Sequence, residues 1–294
     1  HAKVISSIIE DVNLSVDFIF DDNDKIQLLN RYKVVNVYDK NYSYDTADRI
    51  LAITDPTNSN TNSSFKHDAL SRLIEQSLAN KTFKYTYDAN SNRLTRNQTV
   101  NGTATTENYT IQSGNNRINT ITQGTNSKTY SYLATGQITS DGVRSYTYNA
   151  QGRSESISTG TSSSFNIYDS FGQRIQKIGS NAGTQNQTLF VYDENGQLLG
   201  EYTSQGQVIR EYIWLENHLV GLRSYQYPNE ILRVHTDHLG TPRAISNSQN
   251  EVVWRWEGDQ FGDVQPTGNL TFPIRHAGQY YDQEVNLFYN YFRD

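Results

Sequence analysis

The chain has 294 residues, only 35% of them hydrophobic, with a mean hydropathy of −0.72 and a net charge of −6 from 25 basic and 31 acidic residues. The basic residues are scattered singly, so the basic stripe of a nucleic-acid binder is missing. No run approaches the ~18 apolar residues of a membrane-spanning helix, and no signal peptide opens the chain. Cysteine is absent, which removes disulfides and thiolate metal sites.

Aromatic content runs against this polarity, with 21 Tyr and 11 Phe. Tyr buries a ring while its hydroxyl reaches water or a backbone group. Such a composition suits thin layers with half-wet faces rather than one thick apolar core. Methionine is absent even at position 1, and the aromatic pattern Tyr291-Phe292-Arg293-Asp294 stops abruptly. The chain is therefore expected to be a piece of a longer protein.

Residues 1–17 have ambiguous periodicity and are left as a leading segment. From there a short pattern recurs: an aromatic or His, then Asp or Asn, then a turn, then an aliphatic. The clearest copies are Phe20-Asp21 to Ile26, Tyr44-Asp45 to Ile50, His67-Asp68 to Leu73, Tyr87-Asp88 to Leu94, Tyr168-Asp169 to Ile175 and Tyr192-Asp193 to Leu198. Weaker copies start at Tyr109, Tyr132, Tyr148, Tyr212 and His235. The repeat length of ~21 residues accommodates two strands and two turns, and is too short for paired helices. Asx side chains bond the backbone two residues on, and Gly152, Gly172 and Gly196 supply positive φ, which together predict tight reversals. The flanks alternate: Phe83-Lys84-Tyr85-Thr86-Tyr87, Tyr130-Ser131-Tyr132 and Tyr146-Thr147-Tyr148 place rings on one strand face. Asp45 with Arg49, and Asp88 with Arg93, are expected to be turn-stabilising pairs rather than acid–base pairs.

The fold class expected is all-β: a strip of antiparallel hairpins. Stacking hairpins pairs each edge with the next unit, and a strip this long must curl. A long, Tyr-lined ribbon of this kind is a wall.

The Tyr-Asp repeat resembles the YD repeats of rearrangement-hotspot (RHS) proteins. A more specific resemblance follows, to the RHS-associated core region. It comprises His235-Thr236-Asp237-His238-Leu239-Gly240-Thr241-Pro242-Arg243, then Val253-Trp254-Arg255-Trp256, then Phe272 to Glu284 with Gly278, Tyr281 and Asp282, and finally Leu287 to Asp294. On this resemblance residues 18–243 are repeats and 244–294 a truncated core region. The resemblance implies a hairpin strip spiralling into a hollow shell, closed at one end by the core region. It also implies a C-terminal toxin domain as enclosed cargo, other shell or secretion-apparatus segments as partners, and extracellular delivery by bacteria. Toxin-complex components and the teneurins of animals carry related shells. The implied self-cleavage is of aspartyl-protease type, with Arg293 and Asp294 as the early pair. The later Asp of the Asp-Pro-x-Gly motif is missing, so the fragment itself is expected to be inert. Where the family has Thr-Gly, this chain has Val285-Asn286, and several repeats are degenerate.

Other residues carry alternative chemistry. His235, Asp237 and His238 have zinc-ligand character. The turn-forming run after them, and the alternation of a strand, favour a hydrogen-bonded turn instead. Trp254 and Trp256 share a strand face with Val252; such stripes bind sugar or, more often, anchor sheet packing. No cofactor motif occurs. Two functional classes remain: enclosure of cargo, and extracellular adhesion or carbohydrate binding.

Overall fold

The computed structural model of the protein describes residues 16–20, 29–34, 37–237, 239–257, 262, 264–276 and 278–291. The leading segment before Val16, and the first repeat's turn after Phe20, lie outside the described residues. The described chain is all-β, with one short 3-10 turn at Ser59–Thr61. It divides into two compact units, 1–131 and 132–294. One sheet has eleven strands, from Val16–Phe20 to Asn126–Thr129; another has fourteen, from Ser131–Tyr132 to Thr267–Gly268. In each, every strand pairs with its neighbours in sequence, and the order is linear, so neither sheet closes on itself. In the second sheet the ladder continues unbroken past residue 243, with Pro242–Ser246 pairing Val252–Arg255.

One turn recurs in both sheets, alternating with tight two-residue turns such as Asn101-Gly102 and Ala182-Gly183. Asp45 Oδ1 accepts from the backbone N–H groups of Ala47 and Arg49. The same pair of bonds, to the second and fourth residues on, recurs at Asp68, Asp88, Asn149, Asp169, Asp193, Asp237 and Asn247. The residue three after the Asx has positive φ, as at Gly172 (79°) and Gly196 (84°), and closes the turn onto the Asx carbonyl. Asp48, Ser71, Ser91 and Asn250 occupy the same left-handed position, a conformation that is more strained for a residue with a Cβ. The Asp45–Arg49 pair forms as expected, at 2.7 Å. In the second expected pair the structure differs: Asp88 is bonded by the Asn92 amide, while Arg93 donates to the Tyr109 hydroxyl.

Each turn is followed by a β-bulge. Tyr168 pairs with Arg174 but Ile167 with Gln176, so Ile175 is the extra residue; Tyr192 with Leu198 and Val191 with Gly200 repeat this. A bulge interrupts the ladder and leaves backbone groups in need of partners. The next repeat supplies one. The Tyr87 hydroxyl donates to Leu73 O, Tyr148 to Ile138 O, Tyr168 to Ser154 O and Tyr192 to Arg174 O, at 2.7–3.1 Å. Trp214 Nε1 does the same for Leu198 O. In the first sheet the turn arginines add a second stitch, Arg49 to Asp68 O and Arg72 to Asp88 O. The bulge also sets the two faces. Arg174, Leu198, Phe190 and Tyr212 point to the buried side, while Ile175, Leu199, Val191 and Ile213 are exposed on the other.

Because the Tyr192 hydroxyl satisfies a carbonyl at the bulge, Tyr192→Phe is expected to destabilise the second unit by about 1–2 kcal/mol. Tyr225→Phe, at an exposed ring, should change stability by less than about 0.5 kcal/mol. Urea midpoints of the two variants against the parent chain check the difference.

Candidate functional site

The chemistry-bearing groups of the second unit gather where its C-terminal segment, residues 264–291, crosses the buried face of the sheet. The segment starts against the last strands of the sheet and ends against its first ones. Phe272 packs edge-on to Trp254, and Arg210 Nε donates to Thr271 O. Tyr280 lies against Phe190, and Tyr289 against Tyr168. Arg144 donates to Val285 O and Asn286 O, and Arg153 to Tyr291 O. The strap is thus held by side chains from successive hairpins.

Two charged clusters sit beneath it. Arg174, wholly buried, holds Asp282 through both carboxylate oxygens at 2.5 and 3.1 Å. Lys177 bonds Asp282 at 2.7 Å and Glu284 at 2.8 Å. The Arg174 guanidinium also lies 4.1 Å from the centre of the Tyr289 ring. Burial works to raise the Asp282 pKa, but the Arg174 and Lys177 charges outweigh it and hold the carboxyl below its usual value. Gly179 leaves room for Glu284: a Cβ there would stand 2.5 Å from Glu284 Oε1 and would push that carboxylate aside. In the second cluster Glu201 accepts from Arg210 at 2.6 Å, from Tyr280 at 2.8 Å and from Tyr212. Burial, then the Glu201 charge, push both phenols well up, so they stay donors.

The strap and the sheet together border a cavity of about 1270 Å³. Its wall combines the charged residues Lys177, Glu201, Arg210, Arg275 and Glu284 with Trp254, Tyr280 and Tyr281 and many amides, among them Gln185, Gln187, Gln205 and Gln207.

The residues singled out from sequence lie in different places. Asp237, Gly240, Pro242 and Arg243 form the last Asx turn: Asp237 accepts from Arg243 at 2.9 Å, Gly240 has φ +75°, and Pro242 takes the bulge position opposite Thr236. His235 is buried and shares a hydrogen bond with Ser246 Oγ. Trp254 and Trp256 are core, 1% and 0% exposed, and Trp256 Nε1 donates to Val264 O. Gly278, Tyr281 and Asp282 belong to the strap, where the Tyr281 hydroxyl meets Asn286 and Asp282 is the buried anchor. His238, Arg293 and Asp294 lie outside the described residues. Among the described residues, no three His, Cys, Asp or Glu side chains are grouped as metal ligands. Arg174, Lys177, Glu201, Arg210, Tyr280 and Arg275 were not anticipated. Arg174 carried a signal: the repeat has an aliphatic at that inward position, and a charge there calls for a partner from elsewhere.

An open hairpin sheet with Tyr-locked bulges and a C-terminal strap defines a class of β-shell proteins. The Teneurin YD-shell family profile matches residues 3–291, and the chain belongs to that family. It is 28% identical over 229 residues to the tRNA3(Ser)-specific nuclease WapA of Bacillus spizizenii, covering 75% of this chain and 9% of that protein. It is 24% identical over 302 residues to the double-stranded DNA deaminase toxin A of Burkholderia cenocepacia, covering 86% and 19%. A 60-residue stretch is 42% identical to the toxin protein Tse5 of Pseudomonas aeruginosa, covering 20% and 5%. The chain therefore spans less than a fifth of the length of each. In fold it is similar to the TcdB2-TccC3-Cdc42 structure (TM-score 0.72, 15% identity, covering 94% of this chain and 16% of that one) and to the Photorhabdus luminescens Tc holotoxin pore (TM-score 0.69, 14% identity, covering 95% and 16%).

Two measurements test the site. Asp282→Asn leaves Arg174 buried without its full counter-charge and is expected to cost about 3–5 kcal/mol. Arg174→Met combined with Asp282→Leu should recover much of that loss in urea denaturation. His235 supplies a pH dependence. Burial, then the Arg233 and Arg255 charges, lower its pKa to about 4, below the unfolded value. The unfolded chain therefore binds the proton first as pH falls. Stability is complete above about pH 6.5 and should decline by about 3 kcal/mol on reaching pH 4. His235→Gln should flatten that part of the stability profile.

Proposed function

We propose that this chain is a wall segment of a secreted shell that encloses a C-terminal toxin domain and helps deliver it, in competition between bacteria or attack on a host. The observation that carries this reading is a mismatch among relatives. One protein named for a tRNA nuclease and another named for a DNA deaminase match this same region. Those two chemistries need unrelated active sites, so the region they share supplies something common to both. An open repetitive sheet whose cavity wall carries amides, hydroxyls and charges beside an apolar cluster offers hydrogen bonds to another polypeptide. Confinement then keeps a partly folded cargo from aggregating.

Within this reading, residues 18–243 serve as repeats and 244–294 as the region that closes the shell. Arg293 and Asp294 are the early pair of an aspartyl-type self-cleavage site. Two close carboxylates would share one proton there, giving one acid and one base. Adhesion through the tryptophan stripe is the less favoured use, because both rings are buried in packing.

The test is expression of the encoding gene through its native stop codon, followed by intact-mass measurement and gel filtration. A clean cut just after the present C-terminus is expected, with the C-terminal piece co-eluting with the shell and with Asp294→Asn leaving the product uncut. An uncut product with no separable C-terminal domain would overturn the proposal.

A further inference from the structure

The cavity beneath the strap carries a charge that the fold does not neutralise. Three cations line it, Lys177, Arg210 and Arg275, against two carboxylates, Glu201 and Glu284. Lys177 is paired with Glu284 and Asp282, and Arg210 with Glu201. Arg275 has no acidic partner among the described residues, although it is only 4% exposed. Its Nη1 donates to the carbonyls of Phe272 and Ile274, at 2.6 and 3.1 Å. The guanidinium lies 5.1–5.6 Å from the ring centres of Trp254, Trp256 and Tyr281. Nε and Nη2, which form the other part of its donor fork, have no acceptor among the described residues. Burial lowers the Arg275 pKa to about 10, so it stays charged at neutral pH. Trp254, which also lines the cavity, has a buried Nε1–H without an acceptor.

A buried cation keeps its place when something of opposite charge completes it. The guanidinium fork matches a carboxylate in two parallel bonds. The rest of the wall narrows the choice of carrier. Gln185, Gln187, Gln205, Gln207, Gln265 and Gln283 each offer both donor and acceptor, a lining that can pair with peptide groups whatever their side chains. The cavity of about 1270 Å³ exceeds the usual ~300–1,000 Å³ of a small-molecule pocket.

We infer that this cavity binds an extended polypeptide segment and that Arg275 recognises an acidic side chain on it. The identity of that polypeptide as enclosed cargo rests on the function proposed above; the recognition of a carboxylate does not.

The probes are fluorescein-labelled hexaglutamate and hexaglutamine peptides, titrated against the whole chain at low salt by fluorescence anisotropy. Hexaglutamate is expected to bind about tenfold more tightly. Arg275→Gln should erase that preference while leaving the weaker hexaglutamine binding in place, and Arg275→Lys should retain part of it. Equal binding of the two peptides by the parent chain, or a preference that survives in a folded Arg275→Gln variant, overturns the inference. Should the variants fail to fold, a hexaglutamate peptide carrying a benzophenone group locates the site in the parent chain. Adducts on residues 177–210 or 265–284 support it, and adducts confined elsewhere overturn it. If hexaglutamate is preferred but the full-length product holds no C-terminal piece, only the enclosure reading falls. The reverse pattern removes only the carboxylate site.

Discussion

Everything in this fold depends on how a bulge carbonyl finds its hydrogen bond. The Asx turn closes its hairpin with two bonds to one carboxylate or amide oxygen, and an extra residue follows it in the returning strand. That residue would leave a gap in the ladder, and leaving a buried backbone group without a partner costs about 1–3 kcal/mol. The Tyr of the next repeat closes the gap with its hydroxyl, as Tyr192 does for Arg174 O. The Tyr and the Asp that follows it therefore serve different hairpins: the Asp makes its own turn, and the Tyr completes the one before. This is why the dipeptide recurs as a unit, and why each hairpin is complete only beside its neighbour.

The bulge has a second effect on the faces of the sheet. It follows every described Asx turn, and it places the residue that pairs with the repeat's aromatic, such as Leu198 opposite Tyr192, on the buried side. In the second unit that side carries Phe190, Leu198 and Tyr212 together with the charges of Arg174, Lys177 and Arg210. A layer so rich in hydroxyls and amides can accept ion pairs because hydrogen-bond partners are close at hand. The strap uses this. Asp282 is fully buried between two cations, and Gly179 leaves room for Glu284. Apolar packing alone tolerates sliding by a residue, whereas these bonds have one register. Burying the charges sacrifices some stability relative to apolar side chains and fixes where the strap lies.

Much of the repeat was legible in sequence because its causes are local. Period-two aromatics, Asx residues and glycines at fixed offsets predicted strands and turns, and the Asp237-Gly240-Pro242 run was readable as a turn. The partners of the strap were not legible, because nothing local joins Arg174 to Asp282 across 108 residues. The useful signal was departure from the repeat. Arg174 and Arg93 both stand where the pattern calls for an aliphatic, and both reach a partner outside their own hairpin, Asp282 in one case and the Tyr109 hydroxyl in the other. The Asp88 pairing was misassigned by one residue for a related reason. The Asx turn brings the fourth residue on, Asn92, back to the carboxylate, and the fifth residue already belongs to the bulge.

The two faces of the sheet differ in what they carry. The outward residues beside the bulges, Ile167, Ile175, Val191, Leu199 and Ile213, are aliphatic yet between about a third and a half exposed. They lie next to one another across neighbouring strands, where β-branched side chains stiffen a pleated surface. The inward residues form an apolar cluster that includes Phe190, Leu222, Ile245 and Trp254, with a few buried charges such as Arg174 and Glu201 set beside it. The strap laid on this face is held by apolar packing, while a few buried charges, Asp282 between Arg174 and Lys177 first among them, set the register at which it lies.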